Sequence, residues 1–328
     1  MSRLGQAALG HAAPGQAGGH VWVLNLDAEH ELATAGRYTR SRALAALVAR
    51  QSGRLLGTLV AAGDVVLDGE PSAAELELLR GRPGLAWSPT PTALARLRAA
   101  GAEVEAAPPL AVLREVNARP FAAAVREPLR GASFEKHLAC DLEFALARLA
   151  LPAAGGWLVR RPFGAAGRGR RRLRAGRPDG LGGDERAWLA ASLAIGPLVI
   201  EPWVEVVREY TRSGWVTPEG EVLVAPPCFQ ETTPAGAWTR TEGAQPDDVP
   251  RADDEALARA LEHAGRALFG AGYFGAFGID AFRHRRPERP SESALNPLSE
   301  INARFTMDWT TGMGARAPHR ARSAHRGA

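Results

Sequence analysis

Three side chains near the C-terminus could share one chemical task. In Ser299-Glu300-Ile301-Asn302-Ala303-Arg304-Phe305, a strand would send alternate side chains to opposite faces. Ile301, Ala303 and Phe305 then face one way, and Glu300, Asn302 and Arg304 the other. Carboxylate and amide oxygens are hard ligands for a divalent cation, and a guanidinium presents planar donors to phosphate oxygens. The row alone would also suit a strand with a solvated polar face. Asp280, between Ile279 and Ala281, tips the balance. A neighbouring strand there would aim Asp280 at the same point as Glu300 and Asn302, and magnesium commonly takes only one or two carboxylates.

Two further segments could hold a nucleotide. Gly164-Ala165-Ala166-Gly167-Arg168-Gly169 follows WLVRRPF and precedes RRRLRA. Glycines let backbone N–H groups turn toward phosphate oxygens, although many such loops are simple turns. No Gly-Lys-Ser/Thr ending is present, which excludes a Walker A loop, and the run after the glycines reads as a returning strand, not the helix of a dinucleotide fold. A hairpin closing over a nucleotide remains. The apolar run LVIEPWVEV carries Glu201-Pro202-Trp203-Val204 and is followed by Glu209. Its bend could offer backbone groups to an adenine edge and a carboxylate to ribose hydroxyls, but the segment also fits an ordinary buried strand.

The elements that must position these groups can be read from spacing. VWVLNLD (21–27) reads as a strand, the stretch around Arg40–Arg50 as a helix, and TPTALARLRAAG as a helix with Thr90 as N-cap, Pro91 in its first turn and Gly101 as its stop. Strands alternating with helices over residues 20–115 predict a small α/β unit. Asn117 to Ala150 reads as helical, ending before Pro152. EYTRSGWVTPEGEVLV reads as two strands about a Pro-Glu-Gly turn, and 253–270 as an amphipathic helix with Leu257, Leu261, Ala264 and Leu268 on one face. GAFGIDAF and LSEINARF read as two strands joined by a polar, Pro-rich loop. Residues 1–19 and 315–328 read as disordered tails, the latter basic.

Composition bounds the rest. The chain has 328 residues, 45% hydrophobic and 23% charged, enough for two or three packed subdomains. No apolar run approaches a bilayer span, and the N-terminus lacks a secretory apolar core, so a cytoplasmic protein is expected. Cys140 and Cys228 are too few for a disulfide framework or a zinc cluster, and none of the eight histidines forms a metal-ligand pair. Lys136 is the sole lysine among 40 basic residues, so arginine fills positions where other proteins use lysine. Eight arginines lie between Arg160 and Arg177. They lack interleaved aromatics, and with a net charge of only +4 a nucleic-acid partner is not expected.

In this order the motifs resemble the ATP-grasp superfamily over about residues 110–314, and Glu-Ile-Asn-Ala-Arg is the most specific piece. The resemblance implies an α+β fold: an N-terminal α/β (pre-ATP-grasp) subdomain over 20–115, then a nucleotide-binding body over 116–314 with a lid at about 155–205. It implies that Arg161 and Arg119 contact phosphates, that Gly164, Gly167 and Gly169 close over them, that backbone groups of Glu201 and Val204 read adenine, and that Glu209 binds ribose. Asp280, Glu300 and Asn302 would hold Mg2+, with Mn2+ as a substitute, and Arg304 would stabilise the transferring phosphoryl group. Most members carry lysine at the two phosphate-contacting positions; the carbamoyl phosphate synthetase branch carries arginine there, as here. Lys136, a rival for the first of these positions, is read as a solitary surface lysine.

The implied activity is ligation: ATP activates a carboxylate as an acyl phosphate, and an amine (less often a thiol) displaces phosphate. Phosphoryl transfer without ligation, and a catalytically idle ATP-binding or interaction protein, are the rival readings. The implied partners are small-molecule or peptide carboxylates and amines, with no membrane, and homodimerisation is a habit of the superfamily. No pattern identifies the substrates in the N-terminal unit or in CFQETTPAGAWTR.

Overall fold

A computed structural model describes residues 19–35, 38–129, 136–164, 167–174, 176, 181–234, 236–245 and 247–319. The tail expected at 1–19 therefore lies outside the described residues except for Gly19, as does the last tail beyond 319. The chain begins with β1 (Val21–Val23), α1 (Ala28–Ala33), α2 (Arg42–Ser52), β2 (Val65–Val66), α3 (Ala73–Leu79), β3 (Gly84–Ala86) and α4 (Pro91–Ala99). β2, β1 and β3 form a parallel sheet in that order, with β1 fully buried at its centre. Local chemistry sets the helix starts. Ser72 and Glu75 form a reciprocal capping box on α3, and Pro91 opens α4. Thr90 precedes α4 as expected, but its hydroxyl does not cap the helix; it donates to Glu31 Oε2 at 2.7 Å. Gly101 ends the segment at φ +76°, where a side chain would be strained.

α5 (Leu110–Asn117) and α6 (Arg119–Arg126) lead into a second, antiparallel sheet. It is built from β4 (His137–Ala139), β5 (Trp157–Arg160), β6 (Arg170–Leu173) and β7 (Leu198–Pro202), in the order β4-β7-β5-β6. Helices α7 (Leu142–Leu149) and α8 (Gly183–Leu193) cover one face, where Trp157, Val159, Leu189, Leu198 and Ile200 form a core. The helical reading of 117–150 is thus corrected. The chain leaves α6, contributes the edge strand β4, and re-enters a helix at Asp141, whose carboxylate caps Phe144 N at 2.8 Å. Three residues of strand are too short for a period-two pattern to register.

The third sheet is antiparallel, ordered β10-β9-β8-β11-β12, with β8 (Val206–Val216), β9 (Val222–Thr232), β10 (Trp238–Gly243), β11 (Gly275–Arg286) and β12 (Arg289–Asn302). α9 (Arg251–Gly270) packs Leu257, Leu261, Ala264 and Leu268 onto it, all fully buried. Gly265 permits the close approach, because a Cβ there would lie 2.6 Å from Val222 Cγ1. The loop expected between GAFGIDAF and LSEINARF is instead ladder, with Arg286 paired to Arg289. Pro290 and Pro297 mask the strand signal, and they are tolerated because β12 is at the sheet edge.

α10 (Trp309–Met313) closes the fold. The chain remains packed beyond it: Ala317 and His319 are buried beside Trp22, Phe305 and Trp309, so the ordered body runs past the boundary expected at 314. That aromatic cluster joins the N-terminal unit to the third sheet through a shared core. No helix among the described residues is long and apolar enough to cross a membrane.

Candidate functional site

The register of β11 and β12 places Asp280 directly opposite Glu300, and Gly278 opposite Asn302. Ile279 and Ile301 point into the main core, so the polar side chains share the other face. Asn302 Nδ2 donates to Asp280 Oδ2 at 3.0 Å, and Arg304 Nη2 donates to Asn302 Oδ1 at 2.9 Å. Burial, followed by the neighbouring Glu300 and Asp308 carboxylates, pushes the Asp280 carboxyl up to about 7. Glu300 goes the other way: burial acts to raise it, but Arg119, Arg160 and Arg304 together outweigh burial and hold it below its ordinary value.

The raised Asp280 has a measurable consequence. A carboxyl that keeps its proton in the folded chain favours folding while neutral, so this contribution is lost as pH rises from about 4 to about 7. Asp280→Asn should remove that slope. Thermal denaturation of wild type and variant between pH 4 and pH 8, without nucleotide, should show their midpoints diverging in favour of the variant toward high pH.

The cations that meet Glu300 come from two other elements. Arg160, the last residue of β5, donates from Nη2 to Glu300 Oε2 at 2.7 Å and from Nη1 to Glu201 Oε1 at 3.2 Å. Arg119, the first residue of α6, lies 3.2 Å from Glu300 Oε1 and also donates to the carbonyls of Arg161 and Gly164, at 2.9 and 2.6 Å. Arg119 therefore fixes the base of the glycine loop while facing the carboxylates. Nε of Arg119 and Nε of Arg160 are buried without acceptors, leaving donors in reserve beside the cleft.

Arg161 is not one of these groups. Because Trp157 and Val159 face the core beneath α7 and α8, alternation sends Leu158 and Arg160 to the cleft and turns Arg161 back. Arg161 donates from Nε to Ser192 Oγ at 2.8 Å and lies over the Trp188 ring on α8. Of the two adjacent arginines, Arg160 and not Arg161 faces the cleft and its carboxylates. The surface reading of Lys136 also fails. The ammonium is buried, donates to the Ser299 carbonyl at 2.8 Å, lies 3.6 Å from Glu201 Oε2, and is pushed down to about 8 chiefly by burial.

A cleft of about 1,000 Å³ separates the second and third sheets. Arg160, Arg170, Glu201, Val204, Glu209, Phe282, Asp280 and Glu300 reach it. Among the described residues β4 pairs with β7 only as far as Ile200. The Glu201 side chain itself is a buried ion-pair partner of Arg160. Glu209 accepts from Thr232 Oγ1 at 3.1 Å and is raised by burial. Of the loop glycines, Gly167 and Gly169 sit at φ +76° and +70°, and a Cβ on Gly164 would collide with the Arg168 carbonyl. Ala165 and Ala166 lie outside the described residues.

Arg304 lies past the end of β12 and is held from the N-terminal unit. It donates from Nε and Nη2 to Glu29 Oε1 on α1, at 2.9 and 2.6 Å, and lies 5.4 Å over the Trp87 ring. Glu29→Gln should cost up to roughly 3–5 kcal/mol in chemical denaturation, because it removes the paired counter-ion of a buried guanidinium. Glu29 was missed by motif reading, since it resembles any acid in a short helix. Arg160 could have been found by extending the alternation from Trp157.

The donor set suits magnesium. Two carboxylates and one amide converge, and the Asp280 carboxyl, pushed up to about 7 first by burial and then by Glu300, would be relieved by a divalent ion. Among the described residues no group of three or more His, Cys, Asp or Glu side chains forms a metal cage. Magnesium bound through phosphate oxygens needs none.

These features define an ATP-grasp fold: a nucleotide-sized cleft between two antiparallel sheets, with a glycine-rich hairpin on one and an acid–amide–Arg row on the other. The chain has that fold. It is similar to biotin carboxylase from Campylobacter jejuni, solved as its β-γ-ATP complex, at 14% identity and TM-score 0.54 over 88% of this chain and 65% of that one. It is also similar to Rhizobium etli pyruvate carboxylase T882A with acetyl coenzyme-A, at 15% identity and TM-score 0.52 over 89% of this chain and 27% of that one. N5-carboxyaminoimidazole synthetase from Staphylococcus aureus complexed with ADP matches at 12% identity and TM-score 0.48, over 89% and 72%. No family model and no curated protein sequence matches the chain.

Proposed function

We propose that this chain is an ATP-dependent ligase that activates a carboxylate as an acyl phosphate for attack by an amine. The observation that carries the reading is the convergence of Asp280, Glu300 and Asn302 with Arg160, Arg119 and Arg304 at one end of a nucleotide-sized cleft. The biotin carboxylase of the same fold was solved as a β-γ-ATP complex. Magnesium, held by Asp280, Glu300 and Asn302, would neutralise charge on the β- and γ-phosphates.

The residues divide the work. Adenine stands against Val204 and Phe282, with its polar edge toward the backbone at Glu201 and Val204. Glu209 takes the ribose hydroxyls. Arg160 and Arg119 exchange part of their pairing with Glu300 for phosphate oxygens, which leaves Glu300 free for the metal. An oxygen of the substrate carboxylate attacks the γ-phosphorus, the bond to the β-phosphate oxygen breaks, and ADP leaves. Arg304, held in place by Glu29, meets the charge on the transferring group. The amine then attacks the acyl carbon, inorganic phosphate departs and the amine proton is lost. The hairpin at Gly164–Gly169 excludes water that would otherwise hydrolyse the intermediate.

A screen of carboxylate and amine pools with Mg-ATP, following ADP release and new amide masses, tests this reading. Amide formation linked to ADP supports it. A phosphorylated substrate that never yields amide favours phosphotransfer alone, and nucleotide binding without ADP release under any mixture favours the idle protein.

A further inference from the structure

Beside the nucleotide cleft lies a second, smaller chamber of about 250 Å³. Its roof is α2, which presents Leu44 and Leu47 from one helical face. Its walls include Trp87 and Trp238, and its floor carries Asp280, Glu300, Asn302 and Arg304. The chamber thus opens at the γ-phosphate end of the proposed nucleotide site, where the acyl acceptor must sit. Ligand pockets commonly measure about 300–1,000 Å³, so this space suits a single small molecule.

Its charges are unevenly matched. Asp27 is paired bidentately with Arg40, Glu300 with Arg119 and Arg160, and Arg304 with Glu29. Asp308 lines the chamber and is only 4% exposed, yet among the described residues no Lys, Arg or His side chain lies within 4 Å of its carboxylate. Among the described residues its one side-chain hydrogen bond comes from the Ser213 hydroxyl, 2.7 Å from Oδ2. A second observation points the same way: Thr306, 6% exposed, lines the chamber with its hydroxyl buried and unpartnered. A buried carboxylate without a cation is costly unless a ligand supplies one. The adjacent free hydroxyl adds a further acceptor for an N–H donor.

We propose that the chamber binds an α-amino acid with an apolar side chain. Its ammonium group pairs with Asp308 and Thr306, its side chain lies against Leu44, Leu47 and Trp238, and its carboxylate faces Arg304 as the group to be phosphorylated. The inference rests on the ligase reading and names the acid that this reading leaves open. Arg168 and Arg170 also line the chamber, so an acidic side chain would compete there through its charge and the apolar choice rests on Leu44, Leu47 and Trp238. A des-amino acid would leave Asp308 uncompensated.

The test is calorimetric titration of the full-length protein saturated with magnesium and a nonhydrolysable ATP analogue. The probes are L-phenylalanine, L-leucine, L-aspartate and 3-phenylpropanoate, the last being phenylalanine without its ammonium. Phenylalanine should bind at least about tenfold more tightly than 3-phenylpropanoate, as expected for one charge-assisted contact, and phenylalanine and leucine should bind more tightly than aspartate. Asp308→Asn should erase the gap between phenylalanine and 3-phenylpropanoate while leaving analogue binding unchanged. If that variant does not fold, the wild-type comparison stands alone. Equal affinity for phenylalanine and its des-amino counterpart overturns the proposal and leaves the ligase reading intact. So does an Asp308→Asn variant that keeps the preference, or one whose only defect is a raised magnesium requirement, which would make Asp308 a metal ligand. Failure of the analogue itself to bind would remove the ligase reading beneath it.

Discussion

Glu300→Gln should lower ATP turnover by roughly 10²–10³-fold, the loss expected when a preorganised group at a phosphoryl-transfer centre is removed. Glu300 stands opposite Asp280 across the β11–β12 ladder and accepts from Arg160 at 2.7 Å, with Arg119 at 3.2 Å. It is therefore the point at which the second and third sheets exchange charge. Glutamine keeps the shape but not the charge, so both arginines lose a counter-ion and the metal loses a carboxylate. Some loss of stability accompanies the change, about 3–5 kcal/mol at most, with Arg160 still compensated by Glu201. Initial rates of ADP release, normalised to the folded fraction from circular dichroism, separate the two effects. A variant that is fully folded and fully active would remove Glu300 from the chemistry.

The second large effect distinguishes two adjacent arginines. Arg160→Met should raise the KM for ATP and lower kcat, reducing kcat/KM by about 10²-fold or more, because it removes a charge-assisted phosphate contact. Among the described residues it should also leave Glu201 with only Lys136, 3.6 Å away. Arg161→Met should change kcat/KM by less than about threefold. Its guanidinium packs on Trp188 and Ser192, and Arg161 does not line the cleft. The reverse ranking in steady-state kinetics would show that the hairpin turns its other face to ATP.

That pair also shows where sequence reading reached and where it stopped. The acid–amide–Arg row was legible because a strand with apolar residues at every second position leaves no freedom about which side chains are grouped. Asp280, Glu300 and Asn302 do meet, with Asp280 and Glu300 in register and a 3.0 Å hydrogen bond from Asn302 to Asp280. The fold class was legible through the resemblance carried by the motifs in their order, with Glu-Ile-Asn-Ala-Arg the most specific piece and the glycine loop the least. Arg161 was chosen over Arg160 because a basic residue before proline is a conspicuous motif, whereas the alternation starting at Trp157 is not.

Tertiary partners were beyond reach altogether. Glu29 is 275 residues from Arg304 in the chain, and Lys136 meets Ser299 from 163 residues away. Nothing in the local pattern of EHELA or FEKHL marks either contact. Strand β4 escaped because three residues carry too little periodicity. The outer half of the β11–β12 hairpin escaped because Pro290 and Pro297 imitate loop chemistry on an edge that can tolerate them.

A crystal structure of the chain with magnesium and a nonhydrolysable ATP analogue measures the central claim directly. The triphosphate should lie between the Gly164–Gly169 hairpin and β11–β12, with Arg160 on its phosphate oxygens and a divalent ion touching Asp280, Glu300 and Asn302. A nucleotide bound elsewhere, or an ion that none of those three side chains touches, would contradict the account.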